Sequence, residues 1–363
     1  MTVTTFKLNL GPQHPSTHGV LRLILELEGE KILSCEPDVG YLHRGMEKMA
    51  EKMTCVQYLP TVDRIDYLAG FFYSELFIRN IEKGLHIEHS KKTKAIKVLL
   101  LELNRIASHL LWIGAFLMDL GATSPFFYAF REREMILRYF EKLTGQRMMY
   151  NYFTFGGVRR DIDYLEDVED IIKILPSKLK DYERIITKNP IFISRTQGKG
   201  ILDIKTAKNY AITGVNLRAS GVNYDLRSFD ELYRDIEFNP VIRNEGDSLS
   251  RYLARVEEIS ESIKIISQLL DYLKKAEPLK QNLINPLTMR LPEGEYYSEI
   301  EAPRGLASCY IKSTGDEKLY RLKWRTGSYY SVNLLRKLLV GNYLNDAIAI
   351  AGSLDIILPE VDK

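Results

Sequence analysis

Residues Ala95–Leu120, which read AIKVLLLELNRIASHLLWIGAFLMDL, form the most apolar stretch of the chain. A helix of this length is long enough to cross a bilayer. The stretch also contains five titratable residues, namely Lys97, Glu102, Arg105, His109 and Asp119. Each charge near the middle of a membrane-spanning helix costs about 2.5–3.5 kcal/mol. The stretch therefore predicts a helix in the protein core, and we expect no membrane span in this chain.

Apolar residues that recur every three or four positions predict further helices around this one. The clearest pattern covers Ser248–Lys275, where Leu249, Leu253, Val256 and Ile259 begin a continuous apolar face. The predicted helices lie near residues 46–55, 63–83, 92–119, 127–145, 163–188, 206–215, 228–236, 248–276 and 331–350.

Two regions have the pattern of β-strands. Residues 3–36 include Val20–Glu28, which alternates between apolar and polar residues before a turn at Glu28–Lys31. A smaller β unit is predicted near residues 296–326. The fold class is therefore α+β and mainly helical. We expect three parts: an N-terminal antiparallel β region with a histidine-containing loop (1–45), a helical body (46–276), and a small β insert with a C-terminal helix and tail (277–363).

Composition excludes few functions. The net charge of +2 gives no reason to expect nucleic-acid binding. Cys35, Cys55 and Cys309 have neither CxxC nor metal-ligand spacing, which fits a reducing compartment. Met1–Leu10 lacks the apolar core of a signal peptide.

The segment Gly11–Gly19, GPQHPSTHG, contains two histidines and two prolines, with a glycine at each end. Proline fixes φ and removes a donor, whereas glycine adopts conformations closed to other residues. The segment is therefore a shaped loop, which can place His14 or His18 for proton transfer. The alternative is a turn whose histidines are surface or packing residues.

Further motifs follow this loop in a fixed order. They are Gly40–Lys48, Asp63–Tyr67, Leu101–Ile106, Met118–Ala122, Ser124–Phe127, Arg131–Glu134, Gly156–Val158, Gly352–Asp355 and Val361–Lys363. Together they resemble the quinone-site subunit of respiratory complex I, known as the D subunit in bacteria, the 49-kDa subunit in mitochondria and the H subunit in cyanobacteria and plastids. The resemblance runs from about residue 7 to the C-terminus. Tyr41–Glu51 and Leu101–Trp112 are most similar to the cyanobacterial and plastid branch.

The resemblance implies the fold of nickel–iron hydrogenase large subunits, which hold their metal with two pairs of cysteines. The hydrogenase motif Arg-x-Cys-x-x-Cys falls on Arg64–Ala69, and Asp-Pro-Cys-x-x-Cys-x-x-His falls on Asp355–Lys363. All four thiolates are missing, and a nickel–iron centre needs several of them. We therefore expect no metal in this chain. The resemblance implies that a quinone headgroup takes its place.

The resemblance also assigns roles to three residues. His18 and Tyr67 would donate hydrogen bonds, and then protons, to the two quinone oxygens. Asp119 would pair with His18, raise its pKa and fix its tautomer. Without the resemblance, Tyr67 is one of many core tyrosines and Asp119 is a carboxylate at a helix end.

Other charged residues have two interpretations each. His43 and Arg44 resemble a segment that faces the terminal iron–sulfur cluster of a partner subunit, but they could equally be solvated surface residues. Glu102, Arg105 and His109 share one helix face, and they form either a proton path or a paired buried network. Arg131–Glu134 is most simply an exposed or interfacial ladder of mixed charge.

Function then follows from the resemblance. The chain would be a subunit of a membrane-bound, proton-pumping quinone oxidoreductase, inactive alone because it has no motif for an electron carrier. Its implied partners are a B-type iron–sulfur subunit, a C-type subunit of the 30-kDa kind, an I-type ferredoxin-like iron–sulfur subunit and a membrane subunit that closes the quinone channel. It would lie on the cytoplasmic or stromal face of an energy-transducing membrane.

The electron donor and one alternative function stay open. The sequence does not choose among NADH, ferredoxin and a deazaflavin coenzyme as electron donor, although the similarity to the plastid branch favours ferredoxin. The alternative function is that of a nickel–iron hydrogenase relative with a purely structural role.

Overall fold

The computed structural model describes residues 5–12, 20–281, 283–285 and 288–363. Helices account for about half of the described residues. The α-helices are α1 Met46–Ala50, α2 Cys55–Val62, α3 Gly70–Gly84, α4 Lys91–Asp119, α5 Thr123–Thr144, α6 Leu165–Tyr182, α7 Pro190–Thr196, α8 Ile204–Asn209, α9 Gly214–Arg218, α10 Ser248–Leu273, α11 Gly327–Leu338, α12 Leu344–Ser353 and α13 Leu358–Val361. A π-helical turn at Glu183–Thr187 continues α6, and 3-10 turns lie at Leu226–Phe229 and Glu231–Tyr233.

The strands form small antiparallel sheets. The strands are β1 Thr5–Leu10, β2 Arg22–Glu28, β3 Lys31–Asp38, β4 Phe153–Thr154, β5 Gly157–Val158, β6 Gly294–Ala302, β7 Gly305–Ser313 and β8 Arg321–Arg325. The first three pair in the order β1-β2-β3, the next two form a hairpin, and the last three pair as β6-β7-β8. This arrangement confirms the α+β class and both predicted β regions.

Helix α4 lies in the core of the protein. Its first turn is capped by Ser90, whose hydroxyl accepts a hydrogen bond from the Thr93 amide at 3.2 Å. Among the described residues it alone is long and apolar enough to cross a membrane, and 89% of its most apolar window is buried inside the protein. Helices α3, α5 and α10 pack around it, so the prediction of a core helix is confirmed.

A second apolar core joins the two ends of the chain. Leu23, Leu25 and Leu27 alternate with more exposed residues along β2, and their buried faces meet Leu335 of α11 and Ile350 of α12. The N-terminal sheet is therefore stabilised by helices from the far end of the sequence. The division of the chain at residues 45 and 276 stays a prediction.

The prediction of a helix over residues 63–83 was wrong in its first part, because α3 begins only at Gly70. Residues 63–69 form consecutive turns. The Asp66 carboxylate accepts a hydrogen bond from the Leu68 amide at 3.0 Å, and this local bond offers the backbone an alternative to the helix.

The helix predicted over residues 331–350 is two helices. Gly341 between them has a left-handed φ of 86°. The amides of Gly341 and Leu344 donate to the carbonyls of Ile32 and Glu30, at 2.8 and 2.9 Å. Backbone pairing with the β2–β3 turn therefore replaces the missing helical bonds.

Two further helix predictions were wrong in extent. The segment 206–215 breaks after Asn209, because Ala211 has a φ of 51° and Gly214 a φ of 67°. The segment 228–236 forms only 3-10 turns, and the Asp230 carboxylate there accepts from the Leu232 amide at 3.0 Å.

The turn between β6 and β7 packs directly on the start of α9. A Cβ atom on Gly214 would lie 2.3 Å from the Cα of Gly305, and Gly214 itself has a left-handed φ. This backbone contact requires glycine. It positions the turn that carries Arg304, next to Glu301 near the end of β6.

Gly214→Ala is expected to lower the free energy of unfolding by about 3 kcal/mol or more, since overpacking costs about 1–3 kcal/mol and a left-handed alanine about 1–2 kcal/mol. Gly145→Ala is the matched control, because Gly145 also has a positive φ but nothing lies within 4 Å of its added Cβ. Denaturant unfolding of the purified chain measures both. Equal losses in the two variants would contradict the packing argument.

Candidate functional site

Tyr67 lies half-buried in the turns between α2 and α3. Burial raises the pKa of Tyr67, and the negative charges of Asp66 and Asp355 raise it further, whereas Arg304 and Arg133 oppose the shift. The phenol therefore keeps its proton well into the alkaline range and is available as a hydrogen-bond donor.

Arg304 organises the buried charges next to Tyr67. Its Nη2 donates to Asp66 Oδ1 at 3.1 Å, and its Nη1 donates to Ser108 Oγ at 2.9 Å. Nη1 also lies 3.8 Å from Asp355 Oδ2. One guanidinium from the β6–β7 turn thus joins the 63–69 turns, helix α4 and the segment after α12.

Glu360 of α13 completes this cluster. Its Oε1 accepts the Tyr73 hydroxyl at 2.5 Å, and its Oε2 accepts the Ser328 amide at 3.0 Å. Its negative charge contributes to the raised pKa of Asp66, as does that of Asp355. The positions on which the two hydrogenase motifs fall therefore meet in one buried cluster of carboxylates and arginines.

The cluster contains no thiol. Within residues 5–12, 20–281, 283–285 and 288–363, no group of three histidine, cysteine or acidic side chains could hold a metal ion. Cys35, Cys55 and Cys309 are buried and free. Burial raises the pKa of both Cys35 and Cys55 to about 12, which makes these thiols poor nucleophiles and poor ligands.

The loop with His43 and Arg44 is fixed by the C-terminal tail. The two carboxylate oxygens of Asp362 accept the amides of Gly40 and Leu42, each at 2.8 Å. His43 Nδ1 lies 3.3 Å from the Asp362 carbonyl oxygen, and Arg44 Nη2 donates to the Arg64 carbonyl at 2.9 Å. His43 and Arg44 are exposed, so this loop presents both side chains at the edge of the 63–69 turns.

Asp119 is the last residue of α4 and is partly buried. It lies beside Gly352, where an added Cβ would come 3.9 Å from Asp119 Oδ2. The Gly352 carbonyl accepts the Trp112 indole N–H at 2.8 Å, so α4 holds the segment that leads to Asp355. His14 and His18 lie outside the described residues, and the pair of His18 with Asp119 stays a prediction.

Glu102, Arg105 and His109 belong to a fully buried ionic network. Arg105 Nε donates to Glu102 at 3.2 Å, and His109 Nε2 lies 2.7 Å from Glu258 Oε2 on α10. Burial lowers the pKa of His109 despite the Glu258 carboxylate, so the imidazole is neutral near pH 7. The three residues predicted to share a helix face thus reach a common set of partners.

Two arginines connect the members of this network. Arg227 reaches Glu102 at 3.3 Å and Glu258 at 2.8 Å, while Arg218 reaches Glu258 at 2.7 Å and Glu301 at 2.6 Å. These cations hold the pKa of Glu258 well below its usual range. Glu102, Arg105 and His109 are thus paired within one buried network, and proton conduction through them stays a prediction.

The prediction of an exposed ladder at Arg131–Glu134 was wrong for its two middle residues. Glu132 and Arg133 are 1% and 8% exposed, and Glu132 accepts the Tyr182 hydroxyl at 2.8 Å. Successive residues of a helix point about 100° apart, so a run of four charges cannot all face solvent on a packed helix. Arg133 instead lies over the Phe130 ring, with the guanidinium carbon 6.0 Å from the ring centre.

Several site residues were not found from the sequence. They are Arg218, Asp225, Arg227, Glu258, Glu301 and Arg304. One signal was present in α10, where Arg251, Arg255 and Glu258 interrupt the buried side at helical spacing. Arg304 had no such signal, because it lies in a two-residue turn between strands.

Comparisons with known proteins agree with the resemblance seen in the sequence. The profile of the family described as "Respiratory-chain NADH dehydrogenase, 49 Kd subunit" matches residues 119–363. The chain is 44% identical to the H subunit, copy 1, of NAD(P)H-quinone oxidoreductase from Gloeobacter violaceus, over 98% of this chain and 97% of that protein. It is 42% identical to the D subunit of NADH-quinone oxidoreductase from Syntrophobacter fumaroxidans, over 100% and 98% of the two chains. The D subunit of the Geobacillus kaustophilus enzyme is 44% identical, over 98% and 97%.

Glu258→Ala is expected to lower the free energy of unfolding by about 3–5 kcal/mol, because it leaves Arg218 and Arg227 buried without a shared carboxylate. The neighbouring Glu257, which is 45% exposed and pairs with Arg243, provides the control. Glu257→Ala should change the stability by no more than about 1 kcal/mol. Denaturant unfolding of the two variants measures both changes. Similar losses in the free energy of unfolding would mean that the network does not stabilise the fold.

Proposed function

Because the chain belongs to the family of the 49-kDa subunit of respiratory-chain NADH dehydrogenase, we propose that it forms part of the quinone-reduction site of a membrane-bound, proton-pumping oxidoreductase of the complex I type. A member of this family is one subunit of an oxidoreductase complex. The observation that carries the proposal is the charged cluster beside half-buried Tyr67, at the positions where a hydrogenase would hold its metal.

The site fits quinone chemistry. Reduction to quinol takes two electrons and two protons, and the developing oxyanions need hydrogen-bond donors. Tyr67 supplies one donor whose proton is retained in the resting state. His18 supplies the other, and Asp119 orients it from the end of α4.

The donor set does not fit a nickel–iron centre. Asp66, Ala69, Ile357 and Glu360 occupy the four thiolate positions, and hard carboxylates do not replace soft thiolates at such a metal. The meeting of the 63–69 turns with the C-terminal segment supports a hydrogenase-like fold that has lost its metal. Stoichiometric nickel in the purified subunit would overturn this assignment.

Electrons must come from a partner subunit. We expect a B-type iron–sulfur subunit to dock against His43 and Arg44, where an exposed cation next to a cluster would raise the cluster's potential. Partners of the C and I types and a membrane subunit would complete the assembly on the cytoplasmic or stromal face of the membrane. The names of the relatives specify NADH or NAD(P)H, and ferredoxin as donor stays a prediction.

Tyr67→Phe tests the proposal because it keeps the ring and removes the donor. Loss of a hydrogen bond to a developing charge raises the barrier by roughly 2–4 kcal/mol. Quinone reductase activity of the assembled complex should therefore drop strongly, while electron flow to an artificial acceptor upstream of the quinone persists. Tyr320→Phe, at a 64% exposed tyrosine before β8, should leave both activities unchanged. A parallel loss of both activities in Tyr67→Phe would indicate an assembly defect and not a lost donor.

The pairing of His18 with Asp119 can be tested by a double-mutant cycle. Asp119→Asn should reduce quinone reduction mostly at higher pH, because an imidazole without its carboxylate loses its proton nearer to about pH 6.5. His18→Ala should be at least as damaging, and the double variant little worse than His18→Ala alone. The measurement is the rate of quinone reduction against pH for the two single variants and the double variant, each in the assembled complex. Additive losses would mean that the two residues act independently.

A further inference from the structure

We propose that Asp66 is a positioning residue that stores a proton for Tyr67 and returns it to the phenolate after Tyr67 has protonated the quinone. This inference rests on the proposed function. Such a store would let Tyr67 regain its proton between turnovers.

The two carboxylate oxygens of Asp66 have different surroundings. Oδ1 accepts hydrogen bonds, whereas Oδ2 is left to carry a proton. Oδ1 accepts from Arg304 Nη2 at 3.1 Å and from the Leu68 amide at 3.0 Å. Oδ2 is buried and accepts no hydrogen bond from any residue that the structure describes. A buried negative charge on an oxygen without a donor costs far more than a buried neutral polar group, so protonation of Oδ2 lowers this cost. Asp66 is the residue immediately before Tyr67.

The neighbouring carboxylates have other partners than Asp66. Asp355 lies 3.8 Å from both Arg304 and Arg255, although its Oδ2 likewise accepts no hydrogen bond from the described residues. Glu360 receives one hydrogen bond on each carboxylate oxygen. Asp66 lies next to a single guanidinium, and it is the acid that directly precedes Tyr67 in the chain.

The titratable and charged groups around Asp66 come from every element packed on it. They are Tyr67 in its own turn, Tyr73 on α3, Arg304 on the β6–β7 turn, Asp355 after α12 and Glu360 on α13. Burial, helped by the charges of Glu360 and Asp355, raises the pKa of Asp66 to about 7. A group with this pKa both holds and releases a proton near neutral pH, as general acid–base chemistry requires.

The electrons and protons of the reaction balance. Two electrons reach the quinone from the iron–sulfur cluster of the partner subunit. The Tyr67 O–H bond breaks and its proton forms one O–H bond of the quinol, while His18 supplies the second proton. The Asp66 Oδ2–H bond then breaks and the Tyr67 O–H bond forms again. The resulting aspartate is stabilised by Arg304. Two protons from the solvent, one for Asp66 and one for His18, restore the site before the next turnover.

Asp66→Asn tests the inference in the assembled complex. Asparagine keeps an Oδ1 acceptor for Arg304 and the Leu68 amide but cannot store a proton. At pH 6 we expect kcat to fall about 10²-fold, in the range of general acid–base catalysis, with little change in the KM for quinone. The deficit should shrink as the pH rises past 7, because the parent then loses the same proton.

Asp63→Asn is the matched control. Asp63 is a buried aspartate in the same turns, and burial raises its pKa to about 6. It accepts from the Ser74 hydroxyl and from the Asn151 backbone amide, and the charge that lowers its pKa is that of Arg64. Its pH profile should run parallel to that of the parent at every pH.

The two variants together separate the inference from the proposed function. An Asp66→Asn profile that is parallel to the parent overturns the inference, and a Tyr67→Phe loss in the same assay would leave the proposed function standing. If neither variant affects quinone reduction, the proposed function fails as well.

A second variant covers the case in which Asp66→Asn does not assemble. Glu360→Gln then replaces it, because removing that negative charge lowers the pKa of Asp66. The alkaline fall in rate should therefore move to lower pH, and an unmoved profile would overturn the inference.

Discussion

The buried guanidinium of Arg304 is the interaction on which the rest of the site depends. It bonds to Asp66 and Ser108 and lies close to Asp355, so it holds together segments that are far apart in the sequence. A cation this deeply buried costs several kcal/mol unless it is paired and hydrogen-bonded. That requirement ties the turns around Tyr67, helix α4 and the C-terminal segment to one geometry.

The same turn between β6 and β7 connects the site with the larger ionic network. Glu301, three residues before Arg304, pairs with Arg218, and its carbonyl accepts from Arg105 at 2.6 Å. The turn is held against α9 by the contact between Gly214 and Gly305. The cluster beside Tyr67 and the network around Glu102 and His109 are therefore joined through the backbone between Glu301 and Arg304.

A buried ionic network stabilises a protein core less effectively than apolar residues of similar volume often do. Well-packed apolar residues often replace buried ion pairs with equal or greater stability, while removal of one partner is strongly destabilising. A network built around α4 and α10 therefore fits a protein that needs charges in its interior. Beside Tyr67, the separate charges of Arg304, Glu360 and Asp355 act on the proton affinity of Asp66, which is the property that the proposed chemistry uses.

The sequence by itself determined the elements whose signals are local. The apolar run from Ala95 predicted the buried helix α4, the spacing of Leu249 and Leu253 predicted α10, and alternation predicted β2. The absence of cysteines at four positions is equally a property of the sequence. Periodicity and composition are read over a few turns of chain, so they need no knowledge of the fold. Only the tertiary structure decided which charges meet. Arg304 and Asp66 are 238 positions apart, and no pattern in the sequence around either residue predicts that the two are in contact. The free energy of a buried charge is set by the distances to its partners and by the loss of water, and both exist only after the chain has folded.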